Sequence, residues 1–340
     1  MSSRAPIAIL GQGIEAHAAL QAWSRLDGGG PRPVRVEVWS ERPSNLPASI
    51  YRLVFREGEM PAVFAKHSDP GFGGVERQCY EAILPRLRVP SPLYYGSLQD
   101  ADGSWWLFIG DGGRARFSSQ NSEHRLLGGR WIGQLHRQGA LVEAASTLPP
   151  AGPQRYLSHL RAGRDRIGRN FANPGLTECD RDVLRDTLAL LDDVESRWAR
   201  IERACEGPPA TLVHGDFQPK NIRITPGTSG AAVFVLDWEM AGWGNPAVDL
   251  APARGADVTI QVDLEAYAAE VCGEWPGVDA AAIRRLSVLG FVLRRLAGMD
   301  WASESLHFEQ PRYLSNPVAT LRSLDISLAR GLAAAAEWLR

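Results

Sequence analysis

Eight consecutive residues concentrate the chemistry of this 340-residue chain: His214-Gly215-Asp216-Phe217-Gln218-Pro219-Lys220-Asn221. A predicted hairpin follows, then Asp237-Trp238-Glu239. Asp216 and Asn221 share one tight polar loop, and Asp237 ends a hydrophobic strand expected to lie beside it. The Asn221 amide oxygen and the Asp237 carboxylate, converging from two segments, make a hard oxygen site suited to Mg²⁺. Asp216 is then left to act as a base. Phosphoryl transfer needs these parts: a metal to hold phosphates, and one group to orient and deprotonate the attacking hydroxyl.

The elements that must position these groups fall into two halves. Runs at 34–39, 50–55 and 61–67 are β-branched and aromatic and read as a small meander. The segment 75–87 repeats apolar residues every four positions and reads as a helix with one buried face. Two more strands are expected on either side of the Asp-Ala-Asp-Gly turn at 100–103. The Gly/Ser-rich stretch 110–122 reads as a hinge. Beyond it the chain turns helical: 125–136, 180–204 behind the capping box Thr177-x-x-Asp180, 280–297 and 317–339. The expected division is an N-lobe at 1–110, with the nucleotide-binding sheet, and a C-lobe at 111–340, with the catalytic loop and acceptor pocket.

Composition narrows the function. The 37 basic and 39 acidic residues leave a formal charge of −2, so a global nucleic-acid footprint is absent. No apolar run approaches the ~20 residues a bilayer requires. Cys79, Cys179, Cys205 and Cys272 lie far apart without a C-x-x-C, which argues against a zinc knuckle and for a reducing, cytoplasmic compartment. Only two of the 37 basic residues are lysines, Lys66 and Lys220. In a chain that favours arginine, a retained lysine marks a place where a compact ammonium is wanted, unless codon drift left it there.

The spacing H-x-D-x-x-x-x-N matches a kinase catalytic loop, and Asp237 matches the metal-binding Asp of the D-F-G signature. The strand Ala62-Val63-Phe64-Ala65-Lys66 puts Lys66 in the place of the V-A-I-K lysine, with Glu76 on the next helix as its ion-pair partner. Glu81 is the rival on the same helix, but positions five apart do not share a face. Together with Gly244-Asn245-Pro246 leading into Asp249-Leu250-Ala251, these motifs resemble the aminoglycoside phosphotransferase and choline kinase-like family. The resemblance implies an α+β, bilobal protein-kinase-like fold with a small antiparallel-sheet N-lobe and a mainly helical C-lobe.

It further implies ATP- or GTP-dependent phosphorylation of a small-molecule hydroxyl. Asp216 would be the catalytic base, and Asn221 and Asp237 the Mg²⁺ ligands. Lys66 and Glu76 would hold the α- and β-phosphates, and Asp249 would brace the catalytic loop. The nucleotide loop would be 40–49, which lacks glycine and offers Ser44, Asn45 and Ser49 to phosphate. Lys220 reads either as a γ-phosphate contact or as a solvated side chain. Only 12 residues separate Asp237 from Asp249, with no A-P-E, so a protein kinase is disfavoured. A catalytically weak nucleotide-binding interaction module is disfavoured because Lys66, Asp216, Asn221 and Asp237 are all present.

Three further features have competing readings. Residues 245–310 carry ten acidic side chains against five arginines, a balance of −5. An acidic cleft concentrates cationic ligands, which points to an amine-bearing alcohol such as an amino-sugar; solvated helix faces explain the same count. Antibiotic inactivation, antibiotic biosynthesis and primary metabolism all stay open. Gly11-x-Gly13-x-x-Ala16 is a degenerate dinucleotide fingerprint, here read as a strand and helix capping the N-lobe. His214 is expected to orient its loop, and His136 to pack or cap at a helix end.

Overall fold

The computed structural model describes residues 5–26, 30–40, 48–227, 230–251 and 262–340. Two compact units emerge. Residues 1–118 join 219–241 in the first, and residues 119–218 join 242–340 in the second. The sequence division puts the segment 219–241 in the C-lobe; here it groups with the first unit.

The first unit is built on six strands: β1 (Ala8–Leu10), β2 (Arg35–Ser40), β3 (Ala48–Val54), β4 (Val63–Ser68), β5 (Tyr94–Gln99) and β6 (Trp105–Gly110). Their order is β1-β2-β3-β4-β6-β5, and every pairing is antiparallel. Alternation puts Val36, Val38, Tyr51, Leu53, Val63, Ala65 and Phe108 into one buried cluster. Helix α1 (Ala18–Ser24) closes it with Leu20 and Trp23. Lys66 has the opposite parity on β4, directly across from Ile50 and Leu107. β1 pairs antiparallel with β2, with Ala8 across from Val38. A dinucleotide crossover needs parallel strands, so the Gly11-x-Gly13 turn only leads into the helix that caps the sheet.

Helix α2 begins earlier than its apolar period suggested, at Pro70, and runs to Gln78. Gly73 lies inside this helix, where a Cβ would come 2.5 Å from the Trp105 Cβ, so only glycine allows the close approach. A π-turn (Cys79–Ile83) and a short 3₁₀ turn (Leu84–Arg86) complete the segment. The hairpin Ile222–Gly227 and Gly230–Val235 also belongs to this unit.

The second unit is helical. It contains α3 (Ser122–Gly139), α4 (Pro153–Asn170), α5 (Glu178–Ser196), α6 (Trp198–Ala204), α7 (Leu264–Val271), α8 (Ala280–Ser303) and α9 (Pro311–Ala334). The expected helix 180–204 is two helices that break at Arg197. Helices α4 and α7 were not anticipated. The capping box of Thr177 and Asp180 is formed. Leu160, Leu184, Leu191, Val292, Leu296, Leu321 and Leu328 share one core. The strand Thr211–Val213, which delivers the chain to His214, pairs antiparallel with Gly242–Gly244. Among the described residues, no helix is long and apolar enough to cross a membrane.

Candidate active site

In the first unit, β4 carries Lys66 to three carboxylates. Its Nζ lies 2.8 Å from Glu76 Oε2, 2.5 Å from Asp237 Oδ1 and 2.9 Å from Glu239 Oε2. Glu81 is turned away and pairs with Arg77. The Glu76 side chain is 2% exposed and that of Lys66 12%. Glu76 Oε1 also accepts the Trp238 N–H at 3.2 Å, which ties α2 to the turn after Asp237. Burial opposes the charge on Lys66, but the fields of Glu76, Asp237 and Glu239 outweigh it and hold the ammonium well above its ordinary pKa. Burial pushes the Glu76 carboxyl up, offset in part by Lys66.

The hairpin sets the remaining groups of this unit. Its ladder joins Ile222 to Val235, and the Leu236 N–H donates to the Asn221 carbonyl at 2.9 Å. Asn221 and Asp237 therefore stand at the same end of the hairpin. Asp237 has φ 70° and ψ 63°, the one non-glycine residue with positive φ among those described. Left-handed backbone at a non-glycine residue is uncommon, and Asp tolerates it better than most. The 3₁₀ turn Trp238–Met240 follows, with Trp238 fully buried, and brings Glu239 back to Lys66. Glu76, Asp237 and Glu239 each offer an oxygen within 4.8 Å of the others. This is a hard, anionic donor set of the type Mg²⁺ takes.

Ser49 lies on β3 opposite His67 and is buried. Lys220 is exposed, and its carbonyl accepts from Arg223 at 2.8 Å. Ser44 and Asn45 lie outside the described residues.

The second unit holds Asp216, with 10% of its side chain exposed. Its Oδ1 accepts from Arg294 Nη2 at 3.2 Å and from Gln218 Nε2. Its N–H donates to His214 Nδ1 at 3.2 Å. Asp249 is fully buried and accepts the His214 N–H at 2.6 Å and the Gly215 N–H at 2.9 Å. Gly215 has φ 78°, so the loop turns there through backbone that glycine tolerates. His136 does not cap α3: its Nε2 lies 3.2 Å from Asp249 Oδ2 and its Nδ1 3.0 Å from the Tyr267 hydroxyl. Burial alone would raise the Asp249 carboxyl, but the bonds and charges of His136 and His214 hold it below its ordinary value.

Residues 76–283, more than half of the chain, match the model of the APH phosphotransferase enzyme family. The chain belongs to that family. Solved structures show the same protein-kinase-like α+β fold as this APH-family chain. The macrolide 2'-phosphotransferase MphH from Brachybacterium faecium is 19% identical, with TM-score 0.54 over 89% of this chain and 97% of its own. A microcompartment-associated aminopropanol kinase is 16% identical, with TM-score 0.62 over 95% and 97%. The GDP and kanamycin complex of APH(2")-IIia is 15% identical, with TM-score 0.56 over 89% and 95%. No curated protein sequence matches the chain.

Three polar contacts, one in the first unit and two in the second, carry little signal in the sequence. Glu239 reads in the sequence as a neighbour of Asp237, and its place two residues on, across a tight turn, is the available signal. Gln218 sits inside the loop itself. Arg294 gave no local signal, because it meets Asp216 across 78 residues of chain.

Proposed function

We propose that the chain transfers the γ-phosphoryl group of ATP or GTP to a hydroxyl of a small molecule. The observation that carries this reading is the gathering of Glu76, Asp237 and Glu239 on one ammonium, in a chain whose Asp216 loop is braced by a buried Asp249. Lys66, steered by Glu76, holds the α- and β-phosphates of the donor. Ser49 contacts phosphate, with Ser44, Asn45 and Lys220 as further proposed contacts. Asn221 and Asp237 would hold Mg²⁺, with Glu239 beside them. That ion, when bound, neutralises charge on the phosphates. Asp216 orients the acceptor hydroxyl and takes its proton.

The acceptor class rests on the sequence balance of −5 over residues 245–310, within which Asp249 is the buried brace and Asp300 pairs with Arg166 and His159, so the other acidic residues carry the argument. It favours an amine-bearing alcohol, the class to which aminopropanol and kanamycin belong, the first named for a similar kinase and the second bound in a similar structure. Trp301 is 45% exposed and offers a ring face for stacking, whereas Trp275 is core. The deciding experiment is a panel of hydroxylated acceptors, with and without amines, assayed with γ-labelled ATP and GTP. Label appearing on amine-bearing alcohols is the expected result. Label only on neutral or anionic acceptors would overturn the acceptor class, and label on none would overturn the transfer reaction.

A further inference from the structure

Arg294 is an unusual residue for its place. It projects from α8, a helix most of whose residues are buried, and its side chain is only 8% exposed. Burying a guanidinium is costly unless good geometry and hydrogen bonds compensate it. Here two of its nitrogens are used on different partners. Nη1 donates to the Val248 carbonyl at 3.2 Å, and Nη2 donates to Asp216 Oδ1 at 3.2 Å.

Val248 immediately precedes Asp249, so two supports of Asp216 hang on one short turn, Pro246–Leu250. Through the Asp249 carboxylate that turn fixes the backbone N–H groups of His214 and Gly215. Through the Val248 carbonyl it fixes the guanidinium, which in turn holds the Asp216 side chain. The close approach is written into α8 one helical turn earlier. A Cβ at Gly290 would run into the Ala247 carbonyl, so only glycine lets the helix lie this close to the turn. Gln218 Nε2 donates to the same Asp216 oxygen as Arg294.

We infer that Arg294 is a positioning residue for the proposed base: with Gln218 it binds Asp216 Oδ1, and so fixes the orientation in which the carboxylate meets the acceptor hydroxyl. The inference rests on the reading of Asp216 as base. In the transfer step the hydroxyl oxygen bonds to the γ-phosphorus as the bond to the leaving phosphate oxygen breaks, and the hydroxyl proton passes to the Asp216 carboxylate. Arginine stays protonated throughout, so Arg294 supplies orientation and no proton. Holding a reacting group in one orientation is worth orders of magnitude when the alternative is a freely rotating carboxylate.

The test compares Arg294→Met, Arg294→Lys and Asp216→Asn in the full chain with saturating Mg·ATP or Mg·GTP. The acceptor is the best one of the panel, or water, read as nucleotide hydrolysis. Arg294→Met is expected to lower kcat about 10- to 100-fold, with nucleotide KM and calorimetric nucleotide affinity within about twofold of wild type. Arg294→Lys keeps a cation that reaches one of the two partners, and recovers a substantial part of the lost kcat. The double variant Arg294→Met/Asp216→Asn is no slower than Asp216→Asn alone, because both act on one group.

A kcat within about threefold of wild type in Arg294→Met, beside a crippled Asp216→Asn, would overturn the positioning role and leave the base in place. Equal losses in Arg294→Met and Arg294→Lys, accompanied by weakened nucleotide binding and a lowered melting temperature, would show a merely structural arginine. Turnover retained in Asp216→Asn would overturn the base itself. No wild-type turnover with any acceptor or with water would overturn both readings.

Discussion

In the first unit a single ammonium, Lys66, lies among three carboxylates; in the second a single carboxylate, Asp249, lies among the N–H groups of His214 and Gly215 and the His136 ring. Both charges are almost wholly withdrawn from water, and each is kept ionised by its neighbours. The neighbours differ in kind. Lys66 is held by charged side chains from α2 and from the turn after Asp237, which in the proposed reaction would exchange partners with phosphate. Asp249 is held mostly by main chain and by a histidine that is itself anchored to Tyr267. The first arrangement suits a site that must take up a ligand. The second suits a brace that must not move, and Asp216 stands on the loop it braces.

The comparison is broken most severely at Asp216. Asp216→Asn keeps shape and hydrogen-bonding capacity but removes the proton acceptor. Turnover should fall about 10²- to 10⁴-fold, with nucleotide affinity nearly unchanged. A variant that keeps more than about a tenth of wild-type kcat would remove Asp216 from the role of base.

The proposed nucleotide centre is probed next. Asp237→Asn is preferred to alanine because Asn tolerates the left-handed backbone at this position. Calorimetry should show Mg·nucleotide affinity reduced by about 100-fold, against about tenfold for Glu239→Gln. Undiminished binding in Asp237→Asn would place the metal site elsewhere.

The pH dependence of the two centres has opposite sign. Lys66 is raised above its ordinary 10.5, so its contribution to stability is complete below that value and is lost as pH climbs through the folded pKa. Asp249 is lowered below its ordinary 3.8, so its contribution is complete above that value and is lost as pH falls through the folded pKa. Asp249→Asn should therefore cost about 2 kcal/mol at neutral pH, and the gap to wild type should close in acid below 3.8. Urea unfolding at both pH values measures this, and an equal penalty at each would mean that the carboxylate charge contributes nothing.

Much of this arrangement is legible from local sequence, because its determinants are local. The strand ending at Lys66 announces itself by β-branched and aromatic residues, and the loop from His214 to Asn221 by its polar spacing. The fold class and the family follow from the same motifs. What escapes is set by glycines that look like breakers but serve close packing. Gly73 lets α2 start early against Trp105. Gly163 lies within the unanticipated α4, where a Cβ would come 3.1 Å from the Asp300 Cα. Gly290 brings α8 onto the Asp249 turn and so delivers Arg294. His136 reads as a helix-end residue until tertiary packing supplies Asp249 and Tyr267. None of these contacts has a short-range signature, since each needs two helices already placed.

The smallest expected effect concerns the two lysines. If Lys66 survives an arginine-favouring composition because a compact ammonium must fit among Glu76, Asp237 and Glu239, then Lys66→Arg is damaging although it keeps the charge. The guanidinium is planar and wider, and three carboxylate oxygens within 2.5 to 2.9 Å of one nitrogen leave it no equivalent place. Nucleotide KM should rise and kcat fall, each by about three- to tenfold. The folded structure should survive, since an arginine can still pair with at least one carboxylate. Lys220 is exposed, and Lys220→Arg should change either constant by less than about twofold. Steady-state kinetics of both variants side by side decide the matter. Wild-type behaviour in both would mean that the scarcity of lysine is codon drift. It would also mean that the close packing of carboxylates around Lys66 tolerates a fork as well as a point charge.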